Sequence, residues 1–256
     1  MIDARAVVSP QAELAPDVSV GPFSVIGPQV RIGPRSVIGP HAVINGPTTL
    51  GADNRVFQFA SIGDAPQDKK YRGEPTLLEI GDRNVFRECC TINRGTAGDK
   101  GVTRIGDDNL FMAYSHVAHD CVIGANTVFA NCASLGGHVE IGDWVILGGL
   151  TAVHQFTKIG AHAFLGGGSI LSRDVPPYVM VAGNPAVPHS INSEGLKRRG
   201  FTEEQVRNVR EAYRILYRLE LRLAEALTQL EPLAAANPEV RAFVDFIHGS
   251  TRSLVR

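Results

Sequence analysis

The 256-residue chain has little net charge and few of the residues that form disulfide or metal frameworks. Its 25 basic and 26 acidic residues give a formal charge of −1, so the composition gives no general attraction to nucleic acid or membranes. No apolar run approaches the roughly 20 residues of a membrane-spanning helix, and no basic-then-apolar signal opens the chain. The four cysteines lack zinc-ligand spacing, and Cys89 and Cys90 are adjacent. We therefore expect a reducing, cytoplasmic location.

Turn-forming residues are abundant instead, with 27 Gly and 15 Pro arranged around a repeat of six. Every sixth residue from Ile2 to Ile62 is aliphatic, and every sixth residue from Ile105 to Leu171 is apolar. A glycine often follows the repeat position, and a small or β-branched residue often stands two before it. This period predicts short strands joined by tight corners, with the aliphatic side chain inward and the glycine permitting the turn. Each rung buries little surface alone, so the rungs are expected to stack.

Hexapeptide repeats of this kind resemble the left-handed parallel β-helix of the hexapeptide acyltransferases, which implies three hexapeptide rungs per coil. We therefore predict an all-β solenoid followed by a C-terminal α-helical domain. The predicted domains are 1–187 and 188–256, with loop insertions at 63–79 and 93–104. In the second domain, Thr202 and Gln205 predict a capping box, and a last helix is expected from Pro238 to Gly249.

A coil of three hexapeptides brings together polar residues that are distant in sequence. His119, Gly137 and Gln155 fall in one column on successive coils. The same rung and the neighbouring columns add three more histidines: His116, His138 and His154. Convergence of this kind is what a catalytic site requires, so we predict that the patch is functional.

The chemistry that suits this patch is acyl transfer to a hydroxyl group. A base must take the hydroxyl proton, and a donor must hold the oxyanion that forms at the thioester. Imidazole titrates near neutral pH, so His119 is the predicted base, and Asp120 is predicted to orient it. Gly137 has no side chain, so its backbone N–H can approach the thioester oxygen. No Ser or Cys nucleophile stands out, which favours direct transfer without an acyl-enzyme.

Two other functions fit parts of the pattern. Imidazoles from neighbouring rungs or chains could bind zinc, as in related solenoids that are metal-dependent carbonic anhydrases. The glycine and glutamine beside the histidines favour acyl transfer, so we predict no metal and no cofactor. A solenoid that serves only as a scaffold or binding module would show no turnover and would not need clustered histidines.

Six segments resemble the UDP-N-acetylglucosamine 3-O-acyltransferases, enzymes of the first step of lipid A synthesis, over nearly the whole chain. They are Asn93-Arg94-Gly95-Thr96, His116-Val117-Ala118-His119-Asp120-Cys121, Gly137-His138, Thr151-Ala152-Val153-His154-Gln155, Asp174-Val175-Pro176-Pro177-Tyr178 and Glu194-Gly195-Leu196-Lys197-Arg198-Arg199-Gly200-Phe201. Asn93 and Pro185 depart from the family pattern, at a polar contact and near the acyl groove. We expect no N-terminal domain like that of the related N-acyltransferase.

The resemblance implies the substrates, the partners and the site residues. A 3-hydroxyacyl group would pass from acyl carrier protein to the 3-position of UDP-N-acetylglucosamine, in a homotrimer with its sites between subunits. His119 would be the base, and the Gly137 amide would bind the oxyanion. Sugar and phosphate contacts would come from Gln67, Asp68, Lys70, His116, His138, His154 and Gln155, and nucleotide contacts from Asn192, Glu194, Arg198 and Arg199. Gly167 would end the acyl groove and leave it open, and analogy with family members implies donors of 12 to 14 carbons.

Overall fold

The computed structural model describes residues 1–256, which form 27 short strands and four helices. The strands are β1 (Val7–Val8), β2 (Glu13–Leu14), β3 (Ser19–Val20), β4 (Val25–Ile26), β5 (Val30–Ile32), β6 (Val37–Ile38), β7 (Val43–Ile44), β8 (Thr48–Leu50), β9 (Arg55–Val56), β10 (Ser61–Asp64), β11 (Leu77–Ile80), β12 (Val85–Phe86), β13 (Thr91–Asn93), β14 (Val102–Ile105), β15 (Leu110–Phe111), β16 (His116–Val117), β17 (Val122–Ile123), β18 (Val128–Phe129), β19 (Ser134–Leu135), β20 (Glu140–Ile141), β21 (Ile146–Leu147), β22 (Ala152–Val153), β23 (Lys158–Ile159), β24 (Phe164–Leu165), β25 (Ile170–Leu171), β26 (Val179–Gly183) and β27 (Ala186–Ile191). The helices are α1 (Ser193–Arg198), α2 (Glu203–Tyr217), α3 (Leu223–Ala236) and α4 (Pro238–His248).

The strands form the three sides of a left-handed parallel β-helix, as the resemblance to the hexapeptide acyltransferases implied. Sheet I contains every third strand from β1 to β25, sheet II every third strand from β2 to β23, and sheet III every third strand from β3 to β24, followed by β26 and β27. In most coils, neighbouring strands pair at an offset of three hexapeptides, as His116 does with Ser134 and Ser134 with Ala152. This constant offset places residues that are three repeats apart directly above one another.

The repeat positions fill the centre of the prism. The aliphatic residues at every sixth position from Val20 onward are almost fully buried, and each contributes about 1.5–3 kcal/mol by leaving water. Phe86, Phe111 and Phe129 stack along the axis on successive coils, with ring centroids 4.9 and 4.6 Å apart. Each coil therefore uses the next one as its hydrophobic partner.

The corners of the prism correct one detail of the sequence interpretation. The left-handed backbone conformation lies not at the repeat glycines but two residues later, mostly at non-glycine residues such as Arg35 and His41, with φ of 57° and 56°. The glycines are needed for close approach: a Cβ on Gly33 would lie 2.6 Å from the carbonyl carbon of Gly51 in the next coil. Small size, rather than turn geometry, explains the glycine column.

The two insertions are narrower than predicted. Strands β10 and β11 leave only residues 65–76 outside the sheets, and β13 and β14 leave residues 94–101. The flanking residues instead extend the ladder, as Leu78 does by pairing with Thr48. Backbone groups there find partners in the adjacent coil, so a break in the repeat does not mark the end of a strand.

The C-terminal segment closes one end of the prism. The predicted boundary after residue 187 falls within β27, which forms an antiparallel hairpin with β26, and the helices begin at Ser193. The capping box of Thr202 and Gln205 is present at α2, whereas α3 was not predicted. Asp174 bridges to Leu254, so the chain end returns to the last coil. None of the helices combines the length and apolar character needed to cross a membrane.

Candidate active site

The predicted column of His119 and Gly137 is present at the corner between sheets I and II. A Cβ on Gly137 would lie 2.6 Å from Cε1 and 2.7 Å from Nε2 of His119. The imidazole therefore packs directly on the glycine of the next coil, and any side chain there would displace it. The N–H of Gly137 donates to no group in the chain, which leaves it free for a ligand.

Asp120 faces His119 although the two are neighbours in sequence. Its left-handed backbone, with φ of 59°, turns the carboxylate back under the ring, and Oδ2 lies 2.9 Å from Nδ1 of His119. The side chain is fully buried. Burial by itself would raise the pKa of Asp120, but hydrogen bonds from His119 and Thr96 outweigh it and lower the pKa below its ordinary value. Asp120 is thus held as a carboxylate.

This pairing sets the tautomer of His119. A carboxylate only accepts hydrogen bonds, so Nδ1 of His119 carries the proton and donates it to Asp120. The lone pair then lies on Nε2, the nitrogen next to Gly137. A neutral imidazole whose far nitrogen is free is suited to take a proton.

His138 lies against His119 on the next coil. The two rings meet edge to face at 4.9 Å, and Phe156 stacks on the other side of His138 at 4.2 Å. Nδ1 of His138 lies 2.6 Å from Oδ2 of Asp99. The structure therefore brings this predicted residue into the site and fixes its ring by stacking and by a hydrogen bond.

His116 and His154 have different surroundings on sheet I. Burial, and then the positive charge that His119 carries when it is protonated, lowers the pKa of His116, whose Nδ1 lies 2.7 Å from the Thr91 hydroxyl. His154 is exposed, and its Nδ1 lies 3.1 Å from Nη1 of Arg252. Arg252 also donates to the carbonyl of Gln155. The last residues of the chain thus reach the site, which the sequence interpretation missed.

A groove of about 670 Å³ opens beside His138, between the two insertions. It is lined by Asp68, Lys70, Tyr71, Glu74, Thr96, Ala97, Gly98, Asp99, Lys100, His138, Glu140, Phe156, Lys158 and Thr251. Two predicted residues of the first insertion, Asp68 and Lys70, are among them, whereas Gln67 is exposed and outside the groove. Lysines and histidine beside an aromatic ring are suited to a ligand with phosphate and sugar groups.

The predicted nucleotide contacts lie elsewhere on the chain. Asn192, Glu194, Arg198 and Arg199 line a separate cavity of about 360 Å³ against sheet III. The two linings share no residue, so a single chain does not bring these side chains to His119.

Arg199 is held in place by two residues to which the sequence interpretation assigned no role. Its guanidinium lies over the ring of Trp144 at 5.1 Å, and Nη1 lies 3.2 Å from Nδ1 of His162. Burial, and then the charge of Arg199, lowers the pKa of His162 to about 4. His162 is thus neutral near pH 7 and can accept from Arg199.

The three glycines near the predicted end of the acyl groove, Gly166, Gly167 and Gly168, have different surroundings. Gly168 takes the corner conformation, with φ of 71°, and a Cβ on Gly166 would lie 2.9 Å from Cβ of Ala182. A Cβ on Gly167 would lie 3.3 Å from the Gly149 carbonyl and would meet no side chain. Gly167 is therefore not required by the corner, and its role as a ruler stays a prediction.

The cysteines and the departures from the family pattern also have defined surroundings. Cys121 follows Asp120 but is fully buried, and burial raises its pKa to about 12, which makes it a poor nucleophile.

Asn93 is buried and its amide donates to the Ala65 carbonyl, so it anchors the base of the first insertion. Pro185 lines a small cavity near the C-terminus.

Comparison with known proteins agrees with the fold. A family model described as UDP-N-acetylglucosamine O-acyltransferase, domain 2, matches residues 174–255, and the bacterial transferase hexapeptide model matches residues 12–46 and 103–137. The acyl-[acyl-carrier-protein]–UDP-N-acetylglucosamine O-acyltransferase of Thiobacillus denitrificans is 56% identical, over 100% of this chain and 99% of that protein. That of Verminephrobacter eiseniae is 57% identical, with the same coverage.

Solved structures agree as well. The UDP-N-acetylglucosamine acyltransferase of Francisella novicida superposes with a TM-score of 0.98 at 42% identity, covering 100% of this chain and 94% of that one. The enzyme of Moraxella catarrhalis gives a TM-score of 0.98 at 44% identity, covering 100% and 99%. Identity at this level over the whole chain, on the same solenoid with the same helical end, shows that this chain is an acyltransferase and belongs to the UDP-N-acetylglucosamine O-acyltransferase family.

Proposed function

We propose that this chain transfers a 3-hydroxyacyl group from acyl carrier protein to the 3-position of UDP-N-acetylglucosamine, the first step of lipid A synthesis, in the cytoplasm. The observation that carries the proposal is the pair formed by His119 and Asp120 beside the free N–H of Gly137. It supplies a base and an oxyanion donor next to each other, as acyl transfer requires.

The reaction proceeds by direct attack. Nε2 of His119 takes the proton of the sugar 3-hydroxyl while the hydroxyl oxygen bonds to the thioester carbonyl carbon. The N–H of Gly137 donates to the resulting oxyanion, and Asp120 stabilises the imidazolium. The carbon–sulfur bond then breaks, and His119 returns its proton to the carrier thiol. No group of the enzyme is acylated.

The remaining predicted residues bind the substrates. Gln67, Asp68, Lys70, His116, His138, His154 and Gln155 contact the sugar and phosphates, and Asn192, Glu194, Arg198 and Arg199 contact the nucleotide end. Guanidinium and ammonium groups suit the diphosphate of the acceptor. Gly167 leaves the end of the acyl groove open for donors of 12 to 14 carbons.

A homotrimer with sites between subunits reconciles the two separate clusters of predicted residues. Sheet II carries outward charges at Glu13, Arg31, Glu79, Arg104, Glu140 and Lys158. Sheet III presents apolar residues at Val37, Val85, Leu110, Val128, Ile146 and Phe164. At the corner between sheets I and III, Phe59, Tyr114 and Leu150 are 59%, 64% and 70% exposed. An apolar face of this extent suits contact with other copies of the chain.

The direct test is an assay of the purified protein with UDP-N-acetylglucosamine and a 3-hydroxyacyl carrier protein. Mass spectrometry should show the sugar nucleotide plus one 3-hydroxyacyl group, and NMR should locate the acyl group on the 3-position. Binding without turnover would favour a scaffold.

The proposed trimer has its own test. Sedimentation should give a trimer, and mixing subunits that carry His119→Ala with subunits that carry Arg199→Ala should restore part of the activity.

Zinc-dependent chemistry is the second candidate, and one observation favours it. Ligand-type atoms of His119, Asp120 and His138 lie within 4.8 Å of one another. Those atoms already serve hydrogen bonds, however, because Oδ2 of Asp120 accepts from both Thr96 and His119. We expect full activity after chelation and no zinc in elemental analysis. One zinc per subunit, with activity lost on chelation, would favour the metal enzyme instead.

A further inference from the structure

Three side chains of the second insertion, residues 94–101, form hydrogen bonds or ion pairs with residues of the adjacent coils. Thr96 donates to Asp120, Asp99 pairs with His138, and Lys100 pairs with Glu140 at 2.9 Å. The base of the insertion is closed by a hydrogen bond from the Gly101 N–H to the Thr96 carbonyl. A short loop is thus hydrogen-bonded to the coil that contains the proposed base and to the next coil.

Thr96 supplies most of the partners that the buried Asp120 carboxylate has. Its backbone N–H lies 3.1 and 3.0 Å from the two carboxylate oxygens, and its hydroxyl lies 2.6 Å from Oδ2. The only other donor is Nδ1 of His119, also on Oδ2. A fully buried carboxylate needs such donors, and their directions fix its orientation. The position of Oδ2 in turn determines where the ring of His119 lies.

Asp99 acts on His138 in the same way. Oδ2 of Asp99 accepts from Nδ1 at 2.6 Å, so the proton of His138 lies on Nδ1 whether the ring is neutral or charged. Phe156 holds the plane of the ring, and Asp99 selects which edge faces the insertion. Nε2 is thereby left for the groove.

We propose that residues 94–101 are a positioning element of the site, in which Thr96 orients His119 through Asp120 and Asp99 orients His138. This inference rests on the proposed roles of the two histidines. Thr96 and Asp99 are positioning residues because they act through other side chains and take no proton themselves. Removing these two side chains should alter kcat, KM or the tautomers of the histidines without unfolding the coil.

The first experiment compares Thr96→Val with Thr96→Ser. Val keeps the backbone N–H but removes the hydroxyl, and losing a hydrogen bond to a charged group should lower kcat roughly 10- to 100-fold with little change in KM. Ser restores the hydroxyl and should restore kcat. Thr127→Val is the matched control, because its buried hydroxyl donates to Asn109 at a different corner. Equal kcat values for Thr96→Val and the wild type would overturn the role of Thr96.

The second experiment follows the protons directly, by nitrogen-15 NMR of the imidazoles in the unliganded full-length protein. The wild type should show the proton of His138 on Nδ1, and Asp99→Ala should show a mixture of tautomers and a higher KM for UDP-N-acetylglucosamine. Asp108→Ala, which breaks an exposed pair with Arg83, is the control. An unchanged tautomer in Asp99→Ala would overturn the role of Asp99.

The two proposals fail in different ways. Absence of turnover in the wild type would remove the proposed function. The NMR measurement needs no substrate, and in Thr96→Val it should show a second tautomer of His119. If the wild type turns over but neither variant alters kcat, KM or tautomer, the positioning role alone is wrong.

Discussion

Gly137 and His119 occupy one column of the prism so closely that a Cβ on the glycine would lie 2.6 Å from Cε1 of the imidazole. The contact arises because three hexapeptides complete one coil, which places residue 137 directly over residue 119. It joins the proposed oxyanion donor to the proposed base in a single contact. A side chain added at residue 137 would therefore have to displace the imidazole.

Gly137→Ala should therefore abolish most activity without unfolding the protein. The added methyl group must displace the His119 ring, because the atoms that it meets belong to that side chain. Gly249→Ala is a suitable control, since its Cβ would make only an ordinary contact of 3.4 Å with the Asp245 carbonyl. Turnover and the thermal midpoint are the measurements. Activity close to wild type in Gly137→Ala would contradict the close packing of the His119 ring on residue 137.

His119→Ala should lower kcat by roughly 10²–10⁴, the usual effect of removing a general base. The unfolding midpoint should change little, because the ring packs on Gly137 outside the hydrophobic core of the prism. His189→Ala removes an exposed histidine in β27 and should leave kcat unchanged. If His119→Ala kept nearly normal turnover, another residue would have to be the base.

Gly167→Met should shift donor selectivity toward shorter acyl chains. A Cβ there would meet only the backbone of Gly149, at 3.3 Å from its carbonyl oxygen, and the rest of the side chain is proposed to extend into the groove. Each methylene excluded from an apolar groove costs about 0.8 kcal/mol, so four of them would change selectivity by orders of magnitude. Competition between donors of 8 to 16 carbons is the measurement. An unaltered chain-length profile at comparable turnover would place the ruler elsewhere.

Stability should fall between pH 6.5 and pH 4 because of His162. Its pKa is about 4 in the folded chain and 6.5 in a model peptide, so the unfolded chain binds more protons in this window. The free energy of unfolding should therefore decrease as the pH falls from 6.5 to 4, by on the order of 1–3 kcal/mol after solvent screening. His162→Gln should lose this dependence in urea titrations. Parallel pH profiles for variant and wild type would contradict the assignment.

The helical end of the chain shows how far local sequence signals reach. The capping box at Thr202 and the proline start of α4 were readable because each depends on residues within one turn. Helix α3 was missed, since its N-cap residue, Arg222, provides no side-chain cap and Pro232 interrupts its pattern. Whether such a segment is helical depends on its packing against α2 and α4.

Only the site residues that lie within the hexapeptide repeat could be placed relative to one another from the sequence. The offset of three hexapeptides places Gly137 over His119 through sequence alone. Thr96 and Asp99 could not be placed in this way, because they lie in an insertion that departs from the repeat. Arg252 lies far from His154 along the chain, and no periodicity connects them.

The sequence by itself determined the solenoid, since an aliphatic residue at every sixth position can be buried only by stacking short strands around one axis. Only the tertiary structure decided the orientation of the groups that are proposed to take part in catalysis. The left-handed corner at Asp120 turns its carboxylate under His119, and the insertion supplies the donors that keep it there. The repeat period determines which residues share a column of the prism. The direction of a hydrogen bond depends in addition on local backbone angles and on insertions, which the repeat does not encode.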